Sequence, residues 1–213
     1  DGSLVAVLDG GVVRLFTVTG DDLGWFDVPG RPVSVDVDAG VVHVLYGDRV
    51  DARDGTGALL WTAPVPGARG TRVVEAAGGA VAVLDGRGAR SRVLVLSAGG
   101  GLLATVPAPH AEDVSLASGS LLVLRTVRAR GVLDALDLQG NPVATVATGL
   151  LGAGLVTWAG PGTAAVVHRQ GGSYRAVLLD MATGTPAGGF DLPPRETPVD
   201  LAFGSDRVLV LHH

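Results

Sequence analysis

Residues 32–47 read PVSVDVDAGVVHVLYG and decide the fold. Two valine-rich runs lie on either side of the dipeptide Ala39-Gly40, and the first run alternates apolar with polar residues. Such alternation is typical of a half-buried β-strand, and a short glycine-containing turn between two runs is typical of a β-hairpin. The stretch therefore predicts two antiparallel strands, of which the second is the more apolar.

Related hairpins occur as RVVEAAGGAVAVLDG at residues 72–86, DVSLASGSLLVL at 113–124 and PVDLAFGSDRVLVL at 198–211. A second kind of hairpin alternates with them, and its turn glycines are Gly20, Gly57, Gly100, Gly140 and Gly184. A four-stranded unit that repeats about every 40 residues is typical of a β-propeller, whose blades bury their faces by stacking around an axis.

The predicted fold is an all-β propeller of four-stranded antiparallel blades in one domain, residues 1–213, with five blades favoured and six as the alternative. The chain begins at a second-strand position, so its C-terminal strand is predicted to close the first blade by supplying the missing first strand. That closure leaves residues 207–211 as a surplus strand, which is why six blades stay open. The predicted blades are residues 1–30 with 197–211, 31–66, 71–108, 112–149 and 154–193.

A motif within the repeat resembles a known family. Residues 50–61 (VDARDGTGALLW) are similar to the A-x-D-x-x-T-G-x-x-x-W repeat of pyrroloquinoline-quinone-like propellers, which are WD40-like in fold. Residues 179–184 (LDMATG) match its turn, and residues 16–20 (FTVTG) followed by Trp25 match it in part. The resemblance implies the fold. The quinone dehydrogenases of that family use larger rings, a vicinal disulfide and Ca²⁺, and this chain has no Cys, so no cofactor is expected.

The amino-acid composition argues against several classes of function. Zero Cys excludes thiol catalysis and thiolate metal sites. The net charge of −5 and pI near 5.4 argue against nucleic-acid binding. All sixteen basic residues are Arg, which is typical of a GC-rich, actinobacterial genome. Residues 138–167 carry no charge but hold six Gly and two Pro, so they predict strands rather than a membrane span.

Both ends of the chain carry little information about function. No secretory signal precedes the first strand, so we interpret the sequence as a mature or excised domain, and an extracytoplasmic, cell-envelope location is expected. His212 and His213 could belong to an affinity tag and are left out of the functional reasoning.

Arginine is concentrated at one predicted place. Turns between the second and third strands of a meander fall on one face of the ring, and eight of the sixteen Arg lie around three such turns in adjacent blades. Blades one and two carry Asp9 and Asp48 there instead. Because the planar guanidinium donates two parallel hydrogen bonds to carboxylate or phosphate, this rim is a candidate site for an anionic ligand; solvated loops are the alternative. The eight are Arg87, Arg90, Arg92, Arg125, Arg128, Arg130, Arg169 and Arg175.

Four carboxyl groups lie on predicted innermost strands and are candidates for a central-channel site: Asp36, Glu75, Asp113 and Asp200. If they converge near the axis, mutual repulsion perturbs their pKa values, as at many catalytic sites. The alternative is a set of acidic groups that line a wet channel.

No catalytic or metal-binding motif is present. The histidines His43, His110 and His168 are far apart in sequence and belong to no triad motif. Asp36, Asp38, Asp51 and Asp54 lack the spacing of a Ca²⁺ loop and are interpreted as turn residues. We interpret the three tryptophans as blade packing: Trp25, Trp61 and Trp158.

The favoured function is a non-enzymatic binding or scaffold module that presents loops to a protein or an anionic ligand. A glycan-binding lectin is an alternative, but it needs aromatic residues that recur in every blade, and Tyr46 and Tyr174 are the only tyrosines. An enzyme with a channel carboxylate site is the second alternative. The sequence leaves the oligomeric state open.

Overall fold

The computed structural model describes residues 4–65, 73–117, 119–193, 197–203 and 208–212. These residues form an all-β structure with one 3₁₀ turn, Gly88–Arg90. Among them, no helix is long and apolar enough to cross a membrane. The strands are β1 Leu4–Asp9, β2 Val12–Thr17, β3 Asp22–Asp27, β4 Ser34–Asp38, β5 Val41–Leu45, β6 Arg49–Arg53, β7 Leu59–Pro64, β8 Val73–Ala77, β9 Ala80–Asp85, β10 Arg92–Ser97, β11 Leu102–Pro107, β12 Ala111–Ala117, β13 Ser120–Val127, β14 Arg130–Asp137, β15 Pro142–Leu151, β16 Ala153–Gly160, β17 Thr163–Gln170, β18 Ser173–Asp180, β19 Pro186–Asp191, β20 Pro198–Phe203 and β21 Val208–His212.

The strands form a five-bladed β-propeller, so the predicted fold is confirmed. Four sheets are complete antiparallel meanders (β4–β7, β8–β11, β12–β15 and β16–β19), and a fifth contains β1, β2 and β3. The innermost strands β4, β8, β12 and β16 pack beside one another around the axis. β20 packs beside β16, and β1 packs beside β4.

The predicted closure of the first blade is not shown. Among the described residues, β20 hydrogen-bonds to β21 as a separate two-stranded sheet, and β1 hydrogen-bonds to β2. A gap of about 220 Å³ separates β1 from this C-terminal hairpin. Its walls include Val5 of β1, Val35 of β4, and Leu201 and Leu211 of the hairpin.

The core lies between neighbouring blades, because each sheet is apolar on both faces. Every residue of β9 is buried, and the second strands of the other complete blades each have a run of four or five consecutive buried residues. Val and Leu supply most of this core. Residues that are buried on both faces appear in the sequence as continuous apolar runs rather than as alternation.

The turns between third and fourth strands fix the approach of each blade to the one before it. Four of their glycines have positive φ, and a Cβ placed on any of them would lie 2.6–3.1 Å from a side chain on the outer strand of the preceding blade. Glycine is therefore required there for two reasons, backbone conformation and close approach. The pairs are Gly57 with Phe26, Gly100 with Trp61, Gly140 with Val106, and Gly184 with Val146.

Candidate functional site

Three of the eight predicted rim arginines form ion pairs with aspartates of their own blades. Arg92 lies 2.8 Å from the buried carboxylate of Asp85, Arg125 pairs with Asp134, and Arg175 lies 2.8 Å from Asp191. Each pair connects neighbouring strands of one sheet, so these guanidinium groups are largely neutralised. They contribute to the rim as structural links.

The other five rim arginines are exposed, and none forms an ion pair with a described residue. They lie in or beside the turns between second and third strands of three consecutive blades, with Arg130 at the start of β14 and Arg169 near the end of β17. We call this set the basic sector: Arg87, Arg90, Arg128, Arg130 and Arg169.

Backbone hydrogen bonds hold the basic loops of two adjacent sheets, β8–β11 and β12–β15, together through the connection that carries His110. The His110 N–H donates to the carbonyl oxygen of Gly88 at 2.6 Å, and the Thr126 N–H donates to the carbonyl oxygen of His110 at 3.0 Å. One residue thus bridges the loop of Arg87 and Arg90 to the end of β13.

A second bridge leads on to the next blade. Arg130 is paired across the sheet with Leu151 at the end of β15. The adjacent residue, Gly152, accepts a hydrogen bond at 3.4 Å from the backbone N–H of Arg169, and a Cβ on Gly152 would lie 3.9 Å from the Cβ of Arg169. Backbone contacts therefore link the chain segments that carry the basic sector over three blades.

The turn at Arg128 has an unusual backbone. Arg128 and Ala129 have φ of 51° and 66°, in the left-handed region that glycine favours. The equivalent turn of the next blade uses Gly171 and Gly172, with φ of 58° and 93°. Left-handed conformations cost an L-residue about 1–2 kcal/mol, and strain of this kind concentrates at functional sites. The sheet β12–β15 keeps arginine where glycine would be less strained.

Two exposed aspartates lie on the opposite half of the same face. Asp9 is exposed at the end of β1, and Asp48 is exposed between β5 and β6, where it lies 3.3 Å from Arg49. The Arg49 guanidinium stacks 4.1 Å from the centre of the Tyr46 ring, so this arginine is held by its own blade. The face is therefore electrostatically asymmetric.

The four inner carboxyl groups do approach one another. A channel of about 540 Å³ is lined by Glu75, Asp113 and Asp200 from three different sheets, and Asp36 lines the gap beside it. Burial first, and then the charges of Asp36, Asp200 and Asp113, raise the pKa of Glu75 well above its usual value. Burial likewise raises the pKa of Asp36 to about 7 and raises that of Asp200.

Three of these carboxyl groups accept hydrogen bonds from the innermost strand of the next blade. The Ala76 N–H donates to Asp36 at 2.5 Å and the Val156 N–H donates to Asp113 at 2.8 Å. Glu75 accepts from the backbone of Leu116. Asp200 differs, because it accepts from the N–H of Leu201 in its own strand. The inner carboxyl groups therefore satisfy backbone donors across blade boundaries.

Sequence reasoning missed this interblade role. The interpretation as turn residues is wrong for Asp36, which bridges two blades, and for Asp51, which is a buried partner of Arg53 within β6. The turn interpretation holds for Asp54, which accepts hydrogen bonds from the backbone of Thr56 and Ala58. The pattern S-x-D-x-D at residues 34–38 was the available signal, since Ser34 and Asp38 also accept from the next blade.

The histidines and tryptophans serve packing more than chemistry. His43 is buried, its ring lies 5.7 Å from that of Trp61, and burial lowers its pKa to about 4. Trp61 packs on Gly100 and donates through Nε1 to the carbonyl of Ala98 at 2.7 Å. The packing interpretation is wrong for Trp25, which is 63% exposed on the outer strand β3. In the described part of the chain, no three acidic or His groups are placed to hold a metal ion.

The comparisons with known proteins support the fold. The sequence matches no family model and no curated protein. Among solved structures, Kuenenia stuttgartiensis hydrazine synthase is 14% identical with a TM-score of 0.70, and the match covers 94% of this chain and 67% of that chain. The Neurospora crassa Pan2 WD40 domain is 13% identical (TM-score 0.56; 95% and 79% covered), and Moraxella catarrhalis BamB is 18% identical (TM-score 0.56; 89% and 63% covered). This chain is similar to them in architecture, and the likeness shows a β-propeller fold.

Proposed function

We propose that this protein is a non-catalytic propeller module of the pyrroloquinoline-quinone-like repeat type, and that its basic sector binds an anionic partner. The observation that carries the proposal is the set of five exposed arginines, without acidic partners among the described residues, on loops joined across three blades. The partner we propose is an acidic polysaccharide or an acidic protein surface. Such a partner fits an extracytoplasmic, bacterial location, which stays a prediction.

Charge placement supports binding at this sector rather than at the molecule as a whole. The chain carries a net charge of −5, so general attraction to polyanions is absent. Binding must therefore come from a local field, and the arginine fork favours carboxylate, sulfate or phosphate groups in fixed geometry.

The channel supports an enzymatic function less well than the basic sector supports a binding function. Three of its four carboxyl groups are engaged by backbone donors of a neighbouring blade, which explains their presence by folding alone. A lectin with repeated pockets is also unsupported, because the exposed aromatic Trp25 has Thr62, Thr105 and Thr145 at the equivalent positions of the next three outer strands.

Retention on immobilised heparin across a NaCl gradient tests the proposal. We expect the native protein to be retained at low salt, and Arg130→Ala/Arg169→Ala to elute at clearly lower salt. The matched control is Arg14→Ala/Arg31→Ala, which removes the same two positive charges from exposed positions outside the sector. Native protein in the flow-through, or equal shifts for both double variants, would contradict the proposal.

A further inference from the structure

The outer strand of each of the five blades has a β-bulge close to its beginning. In the sheet β4–β7, Leu60 is left out of the pairing between β6 and β7. The same shift of register occurs at the equivalent place in β3, β11, β15 and β19. Bulges re-aim the side chains beside them and are frequent next to functional sites. The residues left out are Leu23, Leu60, Leu103, Val143 and Ala187.

Four of these bulges expose a large aliphatic side chain. Single exposed leucines are ordinary on a protein surface, but here the exposure recurs at one position of the repeat. In β7 and β11 the residue before the bulge is a second exposed leucine, and both strands belong to blades with a neighbouring blade on each side. We call these four residues the leucine pairs: Leu59 and Leu60, 54% and 52% exposed, and Leu102 and Leu103, 61% and 52% exposed.

The two leucine pairs lie on either side of one interblade contact. Trp61, the residue after Leu60, donates through Nε1 to the carbonyl oxygen of Ala98 at 2.7 Å, and its ring packs on Gly100. Gly100 lies two positions before Leu102 in the chain. The outer strands of two adjacent blades therefore present their exposed leucines beside a shared boundary.

The turns beside the leucine pairs carry negative charge. In four of the five blades, the turn between third and fourth strands holds an aspartate whose carboxylate accepts hydrogen bonds from its own turn. These hydrogen bonds lower the pKa of all four carboxyl groups, so they stay ionised at physiological pH. The four are Asp21, Asp54, Asp137 and Asp180.

Positive charge near these turns is already engaged. Within the described ranges, Arg53 is the one arginine beside a turn of this kind. Its guanidinium donates to the carboxylate of Asp51 at 3.1 Å and to the carbonyl oxygen of Gly57 at 2.9 Å. The apolar surface of the leucine pairs is therefore bordered by carboxylates that no described arginine neutralises.

We propose that the leucine pairs, with the aspartate turns beside them, bind a basic amphipathic segment of a partner polypeptide. Apolar side chains of the segment cover the leucines, and its lysines or arginines lie opposite the aspartates. Charge complementarity selects this occupant, because ionised carboxylates repel an anionic membrane surface and an acidic peptide. The leucines supply affinity through burial, and the aspartates supply specificity and a faster association.

This surface is distinct from the basic sector. Strands alternate in direction along a meander, so the turns between third and fourth strands lie at the opposite end of each sheet from the turns between second and third strands. The leucine pairs lie at the first end and the basic sector at the second. The two proposals can therefore fail separately.

A short helical peptide of leucine and lysine with one apolar face is a suitable probe. Its control is the same peptide with glutamate in place of every lysine. We expect the fluorescently labelled lysine peptide to bind the native chain saturably, as measured by anisotropy, and to bind more weakly as NaCl screens the aspartates. The glutamate peptide should not bind, because its carboxylates face those of the turns.

Variants of the protein locate the binding. Leu60→Gln/Leu103→Gln should weaken binding of the lysine peptide at least about tenfold, because two leucines are no longer buried by it. The matched control is Val127→Gln/Leu151→Gln, which removes two aliphatic side chains, 41% and 58% exposed, at the opposite end of the sheets, and it should bind like the native chain. Asp54→Asn keeps an acceptor oxygen for the turn and should weaken binding about two- to fivefold.

Three results would overturn the proposal. They are the absence of saturable binding, equal binding of the glutamate peptide, and equal losses in the two double variants. Binding of the native chain to phosphatidylcholine vesicles, lost in Leu60→Gln/Leu103→Gln while the lysine peptide fails to bind, would overturn it in favour of a lipid surface. Self-association of the native chain in sedimentation, lost in the same variant while the peptide fails to bind, would overturn it in favour of a second copy of this chain.

Discussion

At Arg128 the backbone conformation favours glycine, whereas the exposed basic sector contains the arginine side chain. Its φ of 51° favours glycine, but its guanidinium belongs to the exposed basic sector. Replacing it with glycine relieves about 1–2 kcal/mol of left-handed strain, and the added freedom of the unfolded chain offsets about 0.5–1 kcal/mol of that gain.

Arg128→Gly should therefore raise the free energy of unfolding by about 0.5 kcal/mol and lower retention on heparin. Urea unfolding followed by tryptophan fluorescence measures the first effect, and the salt gradient measures the second. Because the expected variant is more stable, weaker retention could not be attributed to unfolding. Unchanged retention would remove Arg128 from the basic sector.

The turn glycines separate backbone strain from close packing. Gly20 and Gly100 have similar φ, +91° and +79°, but only the Cβ of an Ala at position 100 would meet a side chain, the Cε3 of Trp61 at 2.8 Å. Gly20→Ala should cost about 1 kcal/mol of strain. Gly100→Ala should cost about 1–3 kcal/mol more, because overpacking forces Trp61 to shift.

Guanidinium unfolding of both variants gives the comparison. Equal losses of stability would mean that the outer strand does not press on Gly100 in solution. The spacing of the sequence repeat predicted glycine turns at all five equivalent positions. It could not show that four of these glycines also contact the preceding blade. These contacts join residues 31 to 39 positions apart, which no local pattern reports.

At the scale of strands, the repeat predicted the antiparallel meanders and their order, since each blade has its own hairpin pattern. The sequence did not predict how adjacent innermost strands are joined. Val156 of β16 and Ala76 of β8 donate to side chains of the preceding blade, Asp113 and Asp36. The sequence predicted the eight rim arginines as one group. Only the structure distinguishes the three that form ion pairs from the five that form none with a described residue.

Asp113 gives a test of these interblade hydrogen bonds. Asp113→Ala should lower the free energy of unfolding by about 1–3 kcal/mol, because it leaves the buried N–H of Val156 without an acceptor. Asp113→Asn keeps an acceptor oxygen and should remain near the native stability. Chemical denaturation measures both, and an Asn variant as unstable as the Ala variant would show that charge, rather than hydrogen bonding, is what the position requires.

The whole molecule concentrates carboxyl groups from separate sheets around one channel. The sequence predicted that they lie on innermost strands and perturb one another, and the structure places Glu75 under the influence of Asp36, Asp113 and Asp200. What the sequence could not show is the extent of burial, which is the largest cause of the raised pKa values. Burial depends on how many blades enclose the channel.

These raised pKa values predict a stability that falls as pH rises. In the unfolded chain Asp36 releases its proton near the ordinary aspartate pKa of 3.8, whereas in the folded chain burial raises its pKa to about 7. The folded state therefore binds more protons between these values, and the stabilising contribution, complete below about pH 4, is lost as pH rises toward 7. Glu75 acts in the same direction.

Unfolding free energies of the native chain, Asp36→Asn and Glu75→Gln at several pH values between about 4 and 8 test this. His43 acts in the opposite direction, since burial lowers its pKa to about 4, so the informative quantity is the difference between native and variant curves. In each variant the unfolding free energy should fall less steeply with rising pH than in the native chain, because an amide hydrogen-bonds like the protonated acid but does not titrate. Parallel curves would mean that channel water solvates these carboxylates well enough to keep them ionised throughout the range.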